Sequence, residues 1–184
     1  IFFAEDKFHD ALATYLKIVR KNPDFYVHDP IVLRNMGISY LRVGSDVEGR
    51  EKLLHYLNIS GVSDSRPEVL FELAESYLKG DQEDTARKFF ARLIDEGKET
   101  DKLVTLSRFR LAQTQDNATD HKFVEDGAEK PPVTGDKPFL QVLDRHYSDP
   151  LSQDARLDLL KRHWRRQEYD AAYSLAKAYL RYKT

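Results

Sequence analysis

Two apolar stripes at helical spacing flank Gly80-Asp81, and this pattern most strongly limits what the chain can fold into. Pro67 favours a helix start, because the first turn does not use the amide hydrogen that proline lacks, and Gly97 favours a helix end. The stretch therefore predicts an antiparallel helical hairpin with one apolar side that needs a neighbour. The stripe residues are Leu70, Leu73, Ala74, Tyr77 and Leu78, then Ala86, Phe89, Phe90, Leu93 and Ile94.

The same pattern recurs along the chain at a period of 37 to 38 residues. A fixed period of this length indicates stacked helix pairs, none of which buries its apolar face alone. We therefore expect an all-α fold, a right-handed α-solenoid of antiparallel helix pairs that forms a single domain over residues 1–184. The small residues that repeat are Gly37, Ala74 and Ala112 in the first helices of the pairs, and Ala11, Gly49 and Ala86 in the second helices.

The array should contain about four to five helix pairs, with the first pair truncated. Because the chain starts at Ile1 inside this pattern, we expect it to be a segment of a larger protein. Residues 116–138 hold three prolines and two glycines among few apolar residues, which predicts a loop or a disordered insertion. The other helices are expected at 5–22, 30–44, 46–58, 101–115, 139–147, 152–166 and 168–182.

Composition and motifs exclude several classes of site. The sequence has no cysteine, which rules out disulfides, thiolate zinc sites and cysteine nucleophiles. Its formal charge of −2 gives no sign of a nucleic-acid partner, and no apolar run is long enough for direct membrane insertion. The six histidines never pair at i+3 or i+4, and no phosphate-binding glycine loop or nucleophile elbow is present. We therefore expect no cofactor, no metal and no enzymatic activity.

The repeated residues resemble the tetratricopeptide repeat family. The period is longer than the roughly 34 residues usual in that family, and Gly49 stands where the family has alanine. A looser resemblance, in residues 139–157, is to the repeats of bacterial envelope proteins, namely outer-membrane assembly lipoproteins and Tol-Pal accessory proteins. The residues that match the tetratricopeptide pattern are Leu33, Met36, Gly37, Tyr40 and Gly44 in its first half, and Ala11, Tyr15, Ile18 and Pro23 in its second half.

The resemblance implies a protein–protein interaction scaffold that binds a peptide or a partner protein in the concave groove of the array. The alternative is that the apolar side chains among these positions close the seams between repeats, and taken singly each fits that role better. The positions that correspond to groove residues of the family are Arg34, Ile38, Leu41, Arg42, Phe71, Glu75, Leu78, Lys79, Phe109, Gln113 and Trp164.

Two further functions stay open. The first is an architectural spacer or oligomerisation array without a peptide ligand, in which exposed apolar ends of the array pair with other copies. The second is an accessory domain of a larger enzyme. The envelope resemblance favours a periplasmic or envelope-associated location over a cytoplasmic one, with a role in bacterial envelope assembly.

Overall fold

The computed structural model describes residues 2–61, 63–126 and 135–181, with the backbone alone over residues 116–126. In this part of the chain all regular structure is helical, and no strand occurs. A short 3-10 helix at Phe2–Glu5 precedes ten α-helices. These are α1 (Phe8–Lys21), α2 (Phe25–His28), α3 (Ile31–Arg42), α4 (Asp46–Ile59), α5 (Arg66–Lys79), α6 (Glu83–Glu96), α7 (Lys102–Asp126), α8 (Lys137–Arg145), α9 (Leu151–Arg165) and α10 (Tyr169–Arg181).

The chain divides into two compact units, residues 1–89 and 90–184, with the boundary inside α6. In the first unit α3 pairs with α4, and α3 also contacts α1 and α5. In the second unit α9 pairs with α10, and α8 packs on both α7 and α9. The predicted all-α fold of paired helices is confirmed. The expectation that the pairs form one continuous domain over residues 1–184 stays a prediction.

Helix α3 is covered on two sides within the first unit. Val32 and Met36 pack with Leu12 of α1 in one cluster. Leu33 and Leu41 belong to a second cluster with residues of α4 and α5. An inner helix of a repeat array needs this double apolar surface, because each neighbour covers only one side of it. Stacking of neighbouring helices therefore supplies the core of this unit.

The crossing of α3 and α4 depends on two facing glycines. A Cβ atom built on Gly37 would lie 2.6 Å from Leu53 Cγ and 3.1 Å from the carbonyl oxygen of Gly49. A Cβ atom built on Gly49 would lie 2.5 Å from Leu41 Cδ2 and 3.0 Å from the carbonyl oxygen of Gly37. The glycine at position 49, which departs from the family pattern, therefore allows an approach that a methyl group would prevent.

The core of the second unit contains an aromatic pair. The rings of Phe109 and Phe139 meet edge to face with their centroids 5.4 Å apart, and both side chains are fully buried. Such a pair adds about 0.5–1.5 kcal/mol beyond the area that it buries. The guanidinium of Arg162 lies over the Phe139 ring, with its Cζ 4.1 Å from the ring centroid.

Helix α7 is longer than the sequence pattern indicates. The loop expected from residue 116 is wrong over residues 116–126, because α7 continues to Asp126. This segment is polar but contains no glycine or proline, and weak helix formers cost only a few tenths of a kcal/mol each. The described part of α7 extends to Asp126, and Gly127 is the next glycine in the sequence. At the far side of the expected loop, α8 begins at Lys137 with Pro138 in its first turn. Residues 127–134 lie outside the described part.

Candidate functional site

Two arginines predicted for the groove pair with acids on the next first helix. Arg34 of α3 donates from Nε to Glu68 Oε2 of α5 at 2.9 Å. Arg42 makes a two-pronged contact with Glu72, at 2.8 Å from Nη1 to Oε2 and 2.5 Å from Nη2 to Oε1. Hydrogen bonding to Glu72 raises the pKa of Arg42 above its ordinary value, although partial burial opposes this. Both arginines therefore bridge α3 to α5.

Four predicted residues lie on one stripe of α5, which we call the α5 stripe: Phe71, Glu75, Leu78 and Lys79. Their spacing of i, i+4, i+7 and i+8 places them on one side of the helix. Phe71, Glu75 and Leu78 are half-buried, and Lys79 is exposed. Lys79 Nζ lies 3.4 Å from Asp46 Oδ2 at the start of α4. The stripe combines partly accessible apolar side chains with charges of both signs.

Three predicted groove residues lie in the cores of the units instead of at a surface. Ile38 and Leu41 are 4% and 8% exposed in the cluster of the first unit. Phe109 has no exposed surface and packs on Phe139. Neighbouring helices cover these three residues in this conformation, and a ligand contact at their positions stays a prediction. Their burial is what the alternative interpretation expects, in which apolar residues at these positions close the packing between helices.

In the second unit, Gln113 joins α7 to α9. Its Nε2 donates to Asp158 Oδ2 at 2.7 Å, while its Oε1 accepts from Arg110 Nη1 at 2.7 Å. Arg110 also lies 3.5 Å from Asp154 Oδ2 of α9. Burial raises the pKa of Asp158, and the hydrogen bond from Gln113 partly offsets this. This polar bridge between two first helices is of the same kind as the one between α3 and α5.

The acidic partners of these bridges were absent from the sequence prediction. Glu68, Glu72, Asp154 and Asp158 lie on first helices, 30 to 45 residues after the groups that they bind. The sequence feature that could have indicated these partners is an acidic residue about one repeat period after an arginine on a first helix. At a charged-residue content of 33% such spacings are common, so the signal alone does not select them.

Trp164 lies at the end of α9 and is 63% exposed. Its ring meets that of Tyr169, the first residue of α10, edge to face with centroids 5.2 Å apart. Tyr173 and Leu180 of α10 are also exposed. The α9–α10 hairpin therefore carries accessible apolar surface in the second unit.

Over residues 2–61, 63–126 and 135–181, no cluster of three or more His, Cys, Asp or Glu side chains could hold a metal ion. No helix in the same ranges has the length and apolar character needed to cross a membrane.

The pairing of helices and their packing define a helical-repeat protein of the α-solenoid class. The profile of the tetratricopeptide repeat family matches residues 68–96, which are α5 and α6. The predicted hairpin at 67–97 is therefore similar to a tetratricopeptide repeat, a kind of repeat that suggests a protein-interaction scaffold.

Comparison with solved structures supports the same class. The chain is similar to the crystal structure of MamA, with a TM-score of 0.65 and 15% sequence identity over 98% of this chain and 91% of that one. At this identity the similarity concerns the fold alone. No curated protein matches the sequence. The narrower resemblance to bacterial envelope repeats stays a prediction.

Proposed function

We propose that the chain is a scaffold whose α5 stripe binds a segment of a partner protein. The observation that carries the proposal is the position of Phe71 and Leu78, which are both half-buried on the first helix of the matched repeat. Hydrophobic anchors of a helical or extended peptide dock on surfaces of this kind, while surrounding charges set their register. Glu75 and Lys79 supply such charges on the same stripe.

The paired arginines limit what the partner can be. Arg34 and Arg42 already engage Glu68 and Glu72, so a ligand carboxylate would have to displace a protein carboxylate to reach them. Glu72 has only 16% of its side chain exposed, which makes that displacement costly. The partner is therefore recognised through apolar side chains more than through a terminal carboxylate. A role in bacterial envelope assembly, with a periplasmic or envelope location, belongs to this proposal and rests on the resemblance of residues 139–157.

Site-specific photo-crosslinking tests the proposal. A photoreactive phenylalanine analogue is placed at Phe71 in one preparation and at Val47 of α4, which is 68% exposed, in a second. Each is incubated with extract of the source cell, and crosslinked proteins are identified by mass spectrometry. We expect a discrete product from position 71 that position 47 does not give. Equal products from both positions would mean that the contact is not made by the stripe.

A variant pair gives the matched control. Phe71→Ala/Leu78→Ala should lose the captured partner, whereas Val47→Ala should keep it. Circular dichroism at 222 nm shows whether each variant retains the helical content of the parent. Retention of the partner by a folded Phe71→Ala/Leu78→Ala protein would contradict the proposal. If that variant unfolds, the crosslinking result decides, because it leaves an aromatic side chain at position 71.

A second candidate function has its own observation. The exposed Trp164, Tyr173 and Leu180 on the α9–α10 hairpin favour association of copies in an architectural array. Sedimentation velocity over a hundredfold range of concentration tests this, and a sedimentation coefficient that does not change with concentration would exclude it. Trp164→Ala/Tyr173→Ala should abolish any concentration dependence.

A further inference from the structure

A groove of about 430 Å³ lies between α7 and α8 in the second unit. Its apolar lining residues, which we call its floor, include Leu111, Ala112 and Pro138. Its volume falls within the roughly 300–1,000 Å³ of ligand-binding clefts. The groove is distinct from the α5 stripe, and neither the family resemblance nor the comparisons assign a role to it.

The charged lining residues of the groove, which we call its rim, carry more positive than negative charge in the part of the chain that the structure describes. Among these described residues, Arg108 of α7 and Lys137 at the start of α8 contribute two cations, and Glu99 contributes one carboxylate. Arg108 Nη1 lies 3.5 Å from Glu99 Oε1, and 72% of the Glu99 side chain is exposed. A long ion pair with so exposed a partner is weak. An incoming carboxylate can therefore take the place of Glu99.

Two acidic residues of the described part of the second unit, Asp136 and Asp149, are engaged by other cations. Asp136 precedes Lys137 in the chain, but its two carboxylate oxygens accept hydrogen bonds from Arg162 and Arg166. Asp149 is paired with Lys102 at 2.6 Å. The two rim cations thus keep their attraction for a negatively charged group.

We infer that the α7–α8 groove binds an acidic segment of a partner protein. An aspartate or glutamate side chain lies between Arg108 and Lys137, and an aliphatic neighbour in the segment packs on the floor. Gln141, which also lines the groove, offers an amide group to the backbone of the segment. The apolar floor favours such a segment over a free inorganic anion, which would leave that floor uncovered.

Two short peptides test the inference on the whole chain. The probe is acetyl-Ala-Leu-Glu-Leu-amide, and its matched control carries Gln in place of Glu. Binding is followed by amide chemical shifts in ¹⁵N-labelled protein. We expect saturable shifts in α7 and α8 with the Glu peptide, with an affinity about fivefold or more above that of the Gln peptide, because a charge-assisted hydrogen bond is about twice as strong as a neutral one. Raising the salt concentration should reduce the difference.

Three variants locate the site. Arg108→Gln and Lys137→Gln should each weaken binding of the Glu peptide about fivefold or more, and Lys177→Gln, which removes an exposed cation of α10, should leave it unchanged. Equal binding of the two peptides, unchanged binding by both rim variants, or no saturable shift up to about 10 mM peptide would overturn the inference. Equal shifts with sodium acetate or phosphate alone would also overturn it, since the groove would then bind only a small anion. None of these outcomes depends on the α5 stripe.

Discussion

The ion-pair cluster around Asp136 gives the sharpest stability prediction. Asp136, just before α8, accepts hydrogen bonds from Arg162 at 3.0 Å and from Arg166 at 2.7 and 3.0 Å. The Arg162 side chain is only 4% exposed, whereas that of Arg166 is 32% exposed. Asp136→Asn therefore removes one carboxylate contact from a buried cation, while the second cation can regain water. Asp136 thus fixes the start of α8 to the end of α9.

The expected loss of unfolding free energy follows from the exposures of the Arg162 and Arg166 side chains. Removing one partner of a buried ion pair costs about 3–5 kcal/mol, and an exposed pair is worth about 0–1 kcal/mol. The new amide oxygen still accepts one hydrogen bond, and Arg162 keeps its contact with the Phe139 ring. We therefore expect Asp136→Asn to lower the free energy of unfolding of the second unit by about 2–4 kcal/mol at pH 7. Arg162→Met, which removes the buried charge itself, should cost about 1 kcal/mol.

The loss of stability caused by Asp136→Asn should depend on pH in a defined direction. Hydrogen bonds from Arg166 lower the pKa of Asp136; burial opposes this shift, and Arg162 adds to it. A carboxylate with a lowered folded-state pKa stabilises the fold above its unfolded pKa of about 3.9, and this stabilisation is lost as the pH falls through the folded pKa. The difference between the wild type and Asp136→Asn should be constant from pH 7 to about pH 5 and should shrink below about pH 4.

Urea unfolding measures the free energy of unfolding of the wild type and of each variant. Circular dichroism reports the whole chain, and the fluorescence of Trp164, the single tryptophan, reports the second unit. A loss below about 1 kcal/mol at pH 7 would show that Arg162 does not depend on Asp136. A difference that is the same at pH 3.5 and pH 7 would refute the assignment of the effect to the carboxylate charge.

Three further predictions concern single positions. Gly49→Ala should lower the unfolding free energy measured in urea by about 1–3 kcal/mol, because its methyl group meets Leu41 in a closely packed crossing. Asp158→Asn should raise the urea midpoint at pH 7 and change it much less at pH 4. Burial raises the pKa of Asp158, so the ionised carboxylate destabilises the fold at a pH above the folded-state pKa. This cost disappears when the carboxylate is protonated. Trp164→Ala should change the unfolding free energy by less than about 1 kcal/mol by circular dichroism, since the ring is 63% exposed.

The repeat period was sufficient to predict the fold class. Helix pairs at a period of 37 to 38 residues cannot bury their apolar stripes alone, and this fact predicts stacking before any contact is known. The hairpin predicted at 67–97 corresponds to the observed α5 and α6, with α5 beginning one residue earlier at Arg66. The end of α7 was harder, because a polar segment without glycine or proline reads as a loop although its helix propensities differ by only tenths of a kcal/mol per residue.

The period could not separate surface residues from core residues at equivalent positions. Leu41 and Leu78 are 37 residues apart and occupy the same place in successive repeats, as do Ile38 and Glu75. Yet Leu41 is 8% exposed, while Leu78 is half-buried. Helical spacing states which side of a helix a residue lies on, but the neighbouring side chains decide how deeply it is buried. For this reason the predicted groove contained both core residues and surface residues.

The second helix of each pair supplies a physical reason for this difference. Leu41 fills the space over Gly49, and Ala86 holds the position equivalent to Gly49 in the next pair. Because a methyl group leaves less room than a glycine at this position, we expect Ala86 to keep Leu78 nearer the surface than Leu41. A side chain kept partly at the surface in this way remains accessible to a partner. On this reasoning we expect α5, and not α3, to be the helix that presents apolar anchors, and Ala86→Gly should bury Leu78 more deeply.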